Sequence, residues 1–496
     1  MQAQASNSFG KTALRGSFWT YAAFFSGRLL TFITTIILAR ILGREDFGIA
    51  AYALVVINFL DVLNEFGVGP ALIYHRKLPR SADTAFWISI ITSTSLFILT
   101  WFAAPLIGVF FDDPRAVGVT RALALTFPLS AISTIHDSLM RKDLSFKKRF
   151  IPLFIQSVSK GSVSIVLALT GFGAWSLIFG QVAGTAIGVI AFWWVYPWRP
   201  SFHFARDIAG KLLSYGSSTV LLNLLTALVL NIDYLLVGRF LGPAALGVYM
   251  LAFRIPQLLI IQICDPISKV VFPMYAKMQD DPEAMHKAFL TTLRYVSLVT
   301  IPVGSVIAAL AGPFVLFIYG QEWVQAITVM QAITVYAVML SLTYNAGDVY
   351  KAQGRMMLMT KISLLRLGLM IPALWWVLTT VGSIESVAWM QTLIAAVIML
   401  VNLSVAMRIL KISPFNFLKA LQTAVISGVL MYIAMTSVLL LLPNVLPVIQ
   451  LAVGGVVGGV VYLVVLWLVQ RELFMTGLAL VRKLLLRRSP SQTQHA

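Results

Sequence analysis

Read for hydrophobic period alone, the chain is a series of apolar runs of roughly the ~20 residues that a membrane-crossing helix needs, divided by short breaks rich in Gly, Pro or charge. Fourteen such runs are predicted, at about 16–42, 46–72, 83–111, 115–140, 150–171, 174–197, 211–240, 243–275, 288–318, 323–349, 358–380, 384–407, 416–442 and 446–469. None alternates with a two-residue period. Each therefore reads as a helix, which satisfies its own backbone hydrogen bonds in lipid, and the expected fold class is an all-α polytopic membrane protein.

Composition strengthens that reading. Of 496 residues, 59% are hydrophobic and 11% charged, whereas soluble domains carry about 25% charge; a water-soluble enzyme is excluded. The single cysteine, Cys264, allows neither an intrachain disulfide nor a cysteine metal cluster. The net charge of +18 poses a question of sidedness rather than of nucleic acid. Most Lys and Arg residues fall in alternate loops, from Lys11 and Arg15 through Arg141–Arg149 and Lys351–Lys361 to Arg471–Arg488, while the opposite loops hold Arg40, Arg44, Arg115 and Arg239 beside acids such as Glu45, Asp46 and Asp113. Positive loops face the cytoplasm, so both termini are expected there, with an uncleaved first span and a basic tail lying on the anionic inner leaflet.

The chain also repeats itself. Arg40-Ile41-Leu42-Gly43 followed by Gly48 returns as Arg239-Phe240-Leu241-Gly242 followed by Gly247, with the same spacing and on the same side. The expected organisation is a cytoplasmic segment 1–15, a six-helix lobe 16–200, a pseudo-symmetric six-helix lobe 201–410, two further helices in 411–470 and the tail 471–496. An even number of helices per repeat relates the lobes by an axis along the membrane normal, around a central cavity.

Apart from those within four residues of a run's end, seven cations fall inside the spans: Arg28, Arg121, Lys160, Arg254, Lys269, Arg294 and Arg366. A cation at mid-bilayer costs roughly 2.5–3.5 kcal/mol on insertion scales, so it faces a partner or a wet cavity. Arg28, Lys160, Arg254 and Arg366 are the candidates for a cationic lumen that takes an anionic ligand, with structural ion pairing as the other reading of each. Arg254 lies eleven residues before Asp265 and is expected on one face with it. Lys269 pairs with Asp265 at a four-residue spacing, and Arg121 and Arg294 are near enough to helix ends to snorkel. Asp61 and Glu65 on the second span and Asp233 on the seventh are candidates for ion coupling, through protonation of a desolvated carboxylate, or are solvated and paired positions near helix ends.

Catalytic chemistry is not expected. Gly10-Lys11-Thr12 lacks the first glycine of a phosphate-binding loop, and the five histidines share no ligand spacing. No metal or other cofactor is anticipated. Gly454, Gly455, Gly458 and Gly459 form small-residue pairs suited to close helix packing or to a dimer contact. Pro128, Pro152, Pro256, Pro302 and Pro372, and the Trp193-Trp194-Val195-Tyr196-Pro197-Trp198 exit, are expected to interrupt helices.

Taken together, Ala39–Gly43 with Phe47-Gly48, the Glu65–Ile73 exit, Met140-Arg141-Lys142-Asp143-Leu144-Ser145-Phe146 and Asp233–Gly242 resemble the polysaccharide transporter branch of the multidrug, oligosaccharidyl-lipid and polysaccharide flippase superfamily, the Wzx-type flippases. Ser26-Gly27-Arg28-Leu29 approximates an arginine pattern of the related lipid II flippases. The resemblance implies two six-helix lobes plus two helices in the bacterial inner membrane. It also implies translocation of an undecaprenyl-pyrophosphate-linked oligosaccharide for O-antigen, exopolysaccharide or capsule. Membrane lipids, and a polysaccharide polymerase with chain-length factors, are the partners it suggests; nucleic acid is not. A cation-coupled multidrug antiporter of the same superfamily is the alternative, and a membrane enzyme has no constellation to support it.

Overall fold

The computed structural model describes residues 25–64, 72, 81–471 and 475. The expectations for residues 1–15, for Glu65 and most of its exit motif, and for most of the tail beyond Arg471 lie outside the described residues.

Every element among the described residues is helical. Helix α1 covers 25–41. It is followed by α2 (Arg44–Asn64), α3 (Ser81–Phe111), α4 (Arg115–Ala124), α5 (Thr126–Lys142), α6 (Phe146–Leu169), α7 (Ala174–Val195) and α8 (Arg206–Pro256). After a π turn at Gln257–Ile261 come α9 (Gln262–Lys277), α10 (Pro282–Phe314), α11 (Ala326–Ala352), α12 (Met356–Thr380), α13 (Ile384–Leu410), α14 (Pro414–Leu440) and α15 (Pro447–Val469). Eleven helical stretches among the described residues are long and apolar enough to cross a membrane. The chain is a multi-pass membrane protein.

Three local differences from the hydrophobic pattern have physical causes. The run 115–140 is two helices, because the ring of Pro128 clashes with the carbonyl four residues back, at Ala124, where α4 stops. The runs 211–240 and 243–275 form one helical path, Asn223–Lys277, of 55 residues. At 1.5 Å per residue that is about 80 Å, more than one crossing of a ~30 Å core. It is broken at Gly242, whose φ of 79° only glycine adopts freely. The π turn after Pro256 then shifts the angular phase of α9 relative to α8, so Arg254 and Asp265 do not keep the common face that an eleven-residue spacing gives in a regular helix. Pro302 and Pro372, by contrast, lie inside continuous helices.

The chain folds as two compact units, one comprising residues up to Met250 with Leu367–Val387, the other Leu251–Arg366 with the residues from Ala388 on. In the first, Val119, Leu123 and Phe127 pack on Ile49, Ala53 and Ile57 of α2 and on Ile178 of α7. In the second, Tyr275, Phe289, Tyr350, Leu403 and Phe417 belong to one packed cluster. Lipid tails are as apolar as these side chains, so close approach rather than water exclusion holds the helices together. Gly180, Gly184 and Gly188 supply it in the first unit: added Cβ atoms would lie 1.8 Å from Ser164 Oγ, 2.7 Å from Lys160 Cβ and 3.1 Å from Gln156 Cβ. In the second, Gly454 and Gly458 face Leu310 and Met435, whereas Gly455 and Gly459 meet nothing within 4 Å.

The tryptophan-rich exit of α7 is anchored. Trp193 Nε1 donates to the Ile132 carbonyl (3.0 Å), Arg199 covers the Trp193 ring, and Asp83 accepts from both Ser201 N (3.0 Å) and Ser201 Oγ (2.7 Å). His136, fully buried, hydrogen-bonds the Trp198 carbonyl at 3.1 Å and packs against Trp193 and Trp198. It is a core histidine.

Candidate functional site

The four candidate lumen cations divide two and two. Arg28 and Lys160 are both half-buried in the first unit, on helices in contact. A Cβ on Gly27 would lie 3.3 Å from Ser157 Oγ, and one on Gly161 only 2.4 Å from Thr34 Oγ1, so α1 and α6 touch on either side of these two residues. Gly184 of α7 closes on the Lys160 stem. The backbone of Lys160 is thus pinned between neighbours by small residues.

Arg254 and Arg366 belong to the second unit. Arg366 is only 9% exposed; its Nη2 donates to Tyr336 Oη at 2.8 Å and its guanidinium lies 5.7 Å from the centre of the same ring. The other edge of Tyr336 meets Phe253, at 5.7 Å and 68°, which ties Arg366 to the turn that carries Arg254. A planar guanidinium held by one phenol keeps most of its five donors for other acceptors.

The candidate coupling carboxylates differ in exposure. Asp61 is exposed on α2, and Glu65 lies outside the described residues. Asp233 is 2% exposed and accepts from Tyr249 Oη at 3.0 Å, with Tyr234 packed edge-on against that ring.

A further acidic site escaped the sequence reading. Asp348, 2% exposed, accepts from Ser268 Oγ at 2.7 Å and from Lys351 Nζ at 3.5 Å. It lines a cavity of about 410 Å³ with Asp265, Lys269, Tyr344 and Asn402. Asp265 and Lys269, expected to pair, share this cavity without an ion pair among the described residues. The signal was present in Asp348, a carboxylate inside the predicted run 323–349 and three residues before Lys351, which reads as a loop cation.

The two copies of the repeated turn meet each other. A Cβ on Gly48 would lie 1.7 Å from the Pro243 carbonyl oxygen, and a Cβ on Gly247 2.1 Å from that of Arg44. In each case the last glycine of one copy abuts the residue after the first glycine of the other. The contact is therefore reciprocal, as a local two-fold requires. Around it, Tyr52 stacks on Phe111 with ring centres 4.2 Å apart, and Arg115 pairs with Glu45 (2.7 Å) and Asp113 (2.9 Å). Asp46 accepts from Ala174 N at the start of α7 (2.9 Å) and from Gly43 N (3.2 Å). Burial alone would raise the Asp113 carboxyl, but its hydrogen bonds from the Arg115 side chain and backbone outweigh that and hold it below its ordinary value.

A multi-pass helical protein that holds cations inside apolar helices and packs two copies of one turn against each other has the features of a membrane transporter built from repeats. The chain belongs to the polysaccharide biosynthesis protein family, whose model matches residues 37–328, in keeping with the resemblance carried by the turn and exit motifs. It is 25% identical to the succinoglycan biosynthesis transport protein ExoT of Rhizobium meliloti over 97% of this chain and 98% of that one. It is also 25% identical to the teichuronic acid biosynthesis protein TuaB of Bacillus subtilis, over 80% and 82%. Among solved structures, a lipid II flippase MurJ in an inward closed conformation matches 92% of this chain and 99% of its own with a TM-score of 0.72 at 16% identity. An inward-facing multidrug resistance MATE family transporter matches 77% and 94% with a TM-score of 0.63. At such identities the likeness is one of fold.

Proposed function

We propose that the protein is a flippase, and not an enzyme, that moves undecaprenyl-pyrophosphate-linked oligosaccharide repeat units across the bacterial inner membrane by alternating access, for surface polysaccharide synthesis. The observation that carries this reading is the retention of Arg28, Lys160, Arg254 and Arg366 within apolar helices of a polysaccharide biosynthesis family member. Cations so placed face a partner or a wet cavity, and a cavity lined by them suits an anionic substrate. A pyrophosphate accepts bidentate hydrogen bonds from Arg and a point charge from Lys, while the lipid tails remain in the bilayer and the glycan crosses a polar lumen. Relatives named for succinoglycan transport and teichuronic acid synthesis, and a fold neighbour named lipid II flippase, support the substrate class.

In this reading the chain crosses the membrane fourteen times with both termini cytoplasmic. Lobes 16–200 and 201–410 are followed by two helices in 411–470 and the tail 471–496, and Asp61, Glu65 and Asp233 serve ion coupling. The Gly48 and Gly247 turns then lie on the outer side, where their mutual contact closes the path. A polysaccharide polymerase and chain-length factors would receive the flipped units.

Deletion in the host should cause lipid-linked oligosaccharide to accumulate on the cytoplasmic leaflet while surface polysaccharide disappears; loss of the polysaccharide without accumulation refutes the reading. Lys160→Glu and Arg366→Glu should each abolish export at normal protein abundance, and wild-type export in both would remove the cationic lumen. A second reading is cation-coupled drug antiport, in which Asp265 and Asp348 would act within a cavity that Lys269 and Lys351 also line; sodium- or proton-driven efflux of a cationic dye from proteoliposomes would establish it.

A further inference from the structure

The second unit contains a basic pocket that no transport role uses. It has a volume of about 390 Å³ and lies among α10, α14 and the end of α15, lined by Thr291, Arg294, Asn416, Lys419, Thr423 and Gln470, with Leu290 and Val469 as apolar walls. The volume is within the ~300–1,000 Å³ usual for small-ligand pockets. No acid lines it, and neither Arg294 nor Lys419 makes an ion pair with a described residue. Two cations so placed repel each other, and a bound anion relieves this. The fatty environment is equally plain, since Phe415, Leu418, Trp467 and Leu468 are exposed on the flanking helices.

We infer that this pocket binds the headgroup of an anionic phospholipid of the phosphatidylglycerol type from the cytoplasmic leaflet. Arg294 and Lys419 take the phosphate by charge-assisted hydrogen bonds, with the Asn416 amide as a further donor. Gln470 accounts for the hydroxylated end: its Nε2 donates to Thr423 Oγ1 at 2.6 Å, and its Oε1 is buried without a partner among the described residues. A ligand hydroxyl that reaches it would give that acceptor a donor. The ammonium of phosphatidylethanolamine would find no carboxylate here. The lipid would tie α14 and α15 to α10 at the root of the basic tail. The side of the membrane comes from the orientation proposed above, and nothing in the inference depends on what is transported.

Full-length protein in detergent, titrated with phosphatidylglycerol or phosphatidylethanolamine and followed by native mass spectrometry and thermal unfolding, tests this. Wild type should bind and be stabilised by phosphatidylglycerol in preference to phosphatidylethanolamine. Each cation removed should weaken binding about fivefold, from about 1 kcal/mol per basic residue. Arg294→Gln with Lys419→Gln should therefore lose most of the preference, while Arg294→Lys with Lys419→Arg retains it, and lipid-free unfolding reports whether each variant folds. Lys419→Gln alone, at an exposed position, carries the test if the double variant does not fold. Undiminished preference in the neutral variant overturns the inference. So does full displacement of the lipid by millimolar inorganic phosphate, which would make the pocket a site for free anions.

Discussion

Arg366 shows how one buried cation is made tolerable. Tyr336 gives it a hydrogen-bond acceptor at 2.8 Å, with the ring centre 5.7 Å away, and a phenol is not an acid at neutral pH, so the positive charge is held without being neutralised. Tyr336→Phe keeps the ring and deletes the acceptor. It should cost about 1 kcal/mol in thermal unfolding, near the mean for a hydrogen bond in water or in a membrane interior, and lower export more than stability if the phenol orients the guanidinium. Equally buried, but on the acidic side, Asp113 accepts from the Arg115 side chain and backbone. Its carboxyl is held below the ordinary 3.8, so its contribution to stability is complete above that value and is lost as pH falls through the lower folded one. The difference in melting between wild type and Asp113→Asn should be present at about pH 6 and fade below 3.8.

Among the elements, glycine positions decide which helices can touch. Gly48→Val would drive its side chain into the Pro243 backbone, 1.7 Å from where Cβ falls. Backbone cannot rotate away as a side-chain end does, so the turn contact should be forced apart, at the ~1–3 kcal/mol typical of overpacking. The expected outcome is poor export, with cysteines placed beside the turn becoming more reactive to an impermeant reagent from outside. Gly455→Ala is the control: it meets open space and should be neutral or stabilising by about 1 kcal/mol, through helix propensity. The repeat was legible because its spacing is local in the chain. That the two copies press on each other was not, since nothing in either copy names its partner. The Gly180, Gly184 and Gly188 stripe has an equally regular four-residue spacing, yet the stripe near Gly454 is denser and so stands out more strongly along the chain.

For the whole molecule, orientation carries the clearest prediction. A reporter that is active only outside should be active when fused after Gly171 and silent after Met278, and a reporter that is fluorescent only in the cytoplasm should give the opposite pattern. The reverse pattern would turn the proposed transport direction around. Much of the large-scale arrangement could be read from the chain, because lipid imposes one simple rule, that each crossing satisfies its own backbone. Finer boundaries were less accessible. Pro128 splits a run that hydropathy sees as continuous, and Gly242 interrupts a path whose two halves remain joined.

The amino-acid order by itself determined the membrane class, the helical elements, the duplicated turn and the set of cations held within the spans, because each depends on composition or on spacing along one helix. Tertiary structure alone decided which of these residues share a neighbourhood. It set Arg366 against Tyr336, Asp348 beside Ser268, Gly48 against Pro243, and Arg294 with Lys419 in one pocket. The physical reason is that a helix presents several faces of similar apolarity to lipid and to protein, so hydropathy cannot tell which face meets a partner. Steric fit and the pairing of polar atoms make that choice, and both exist only once distant segments are side by side.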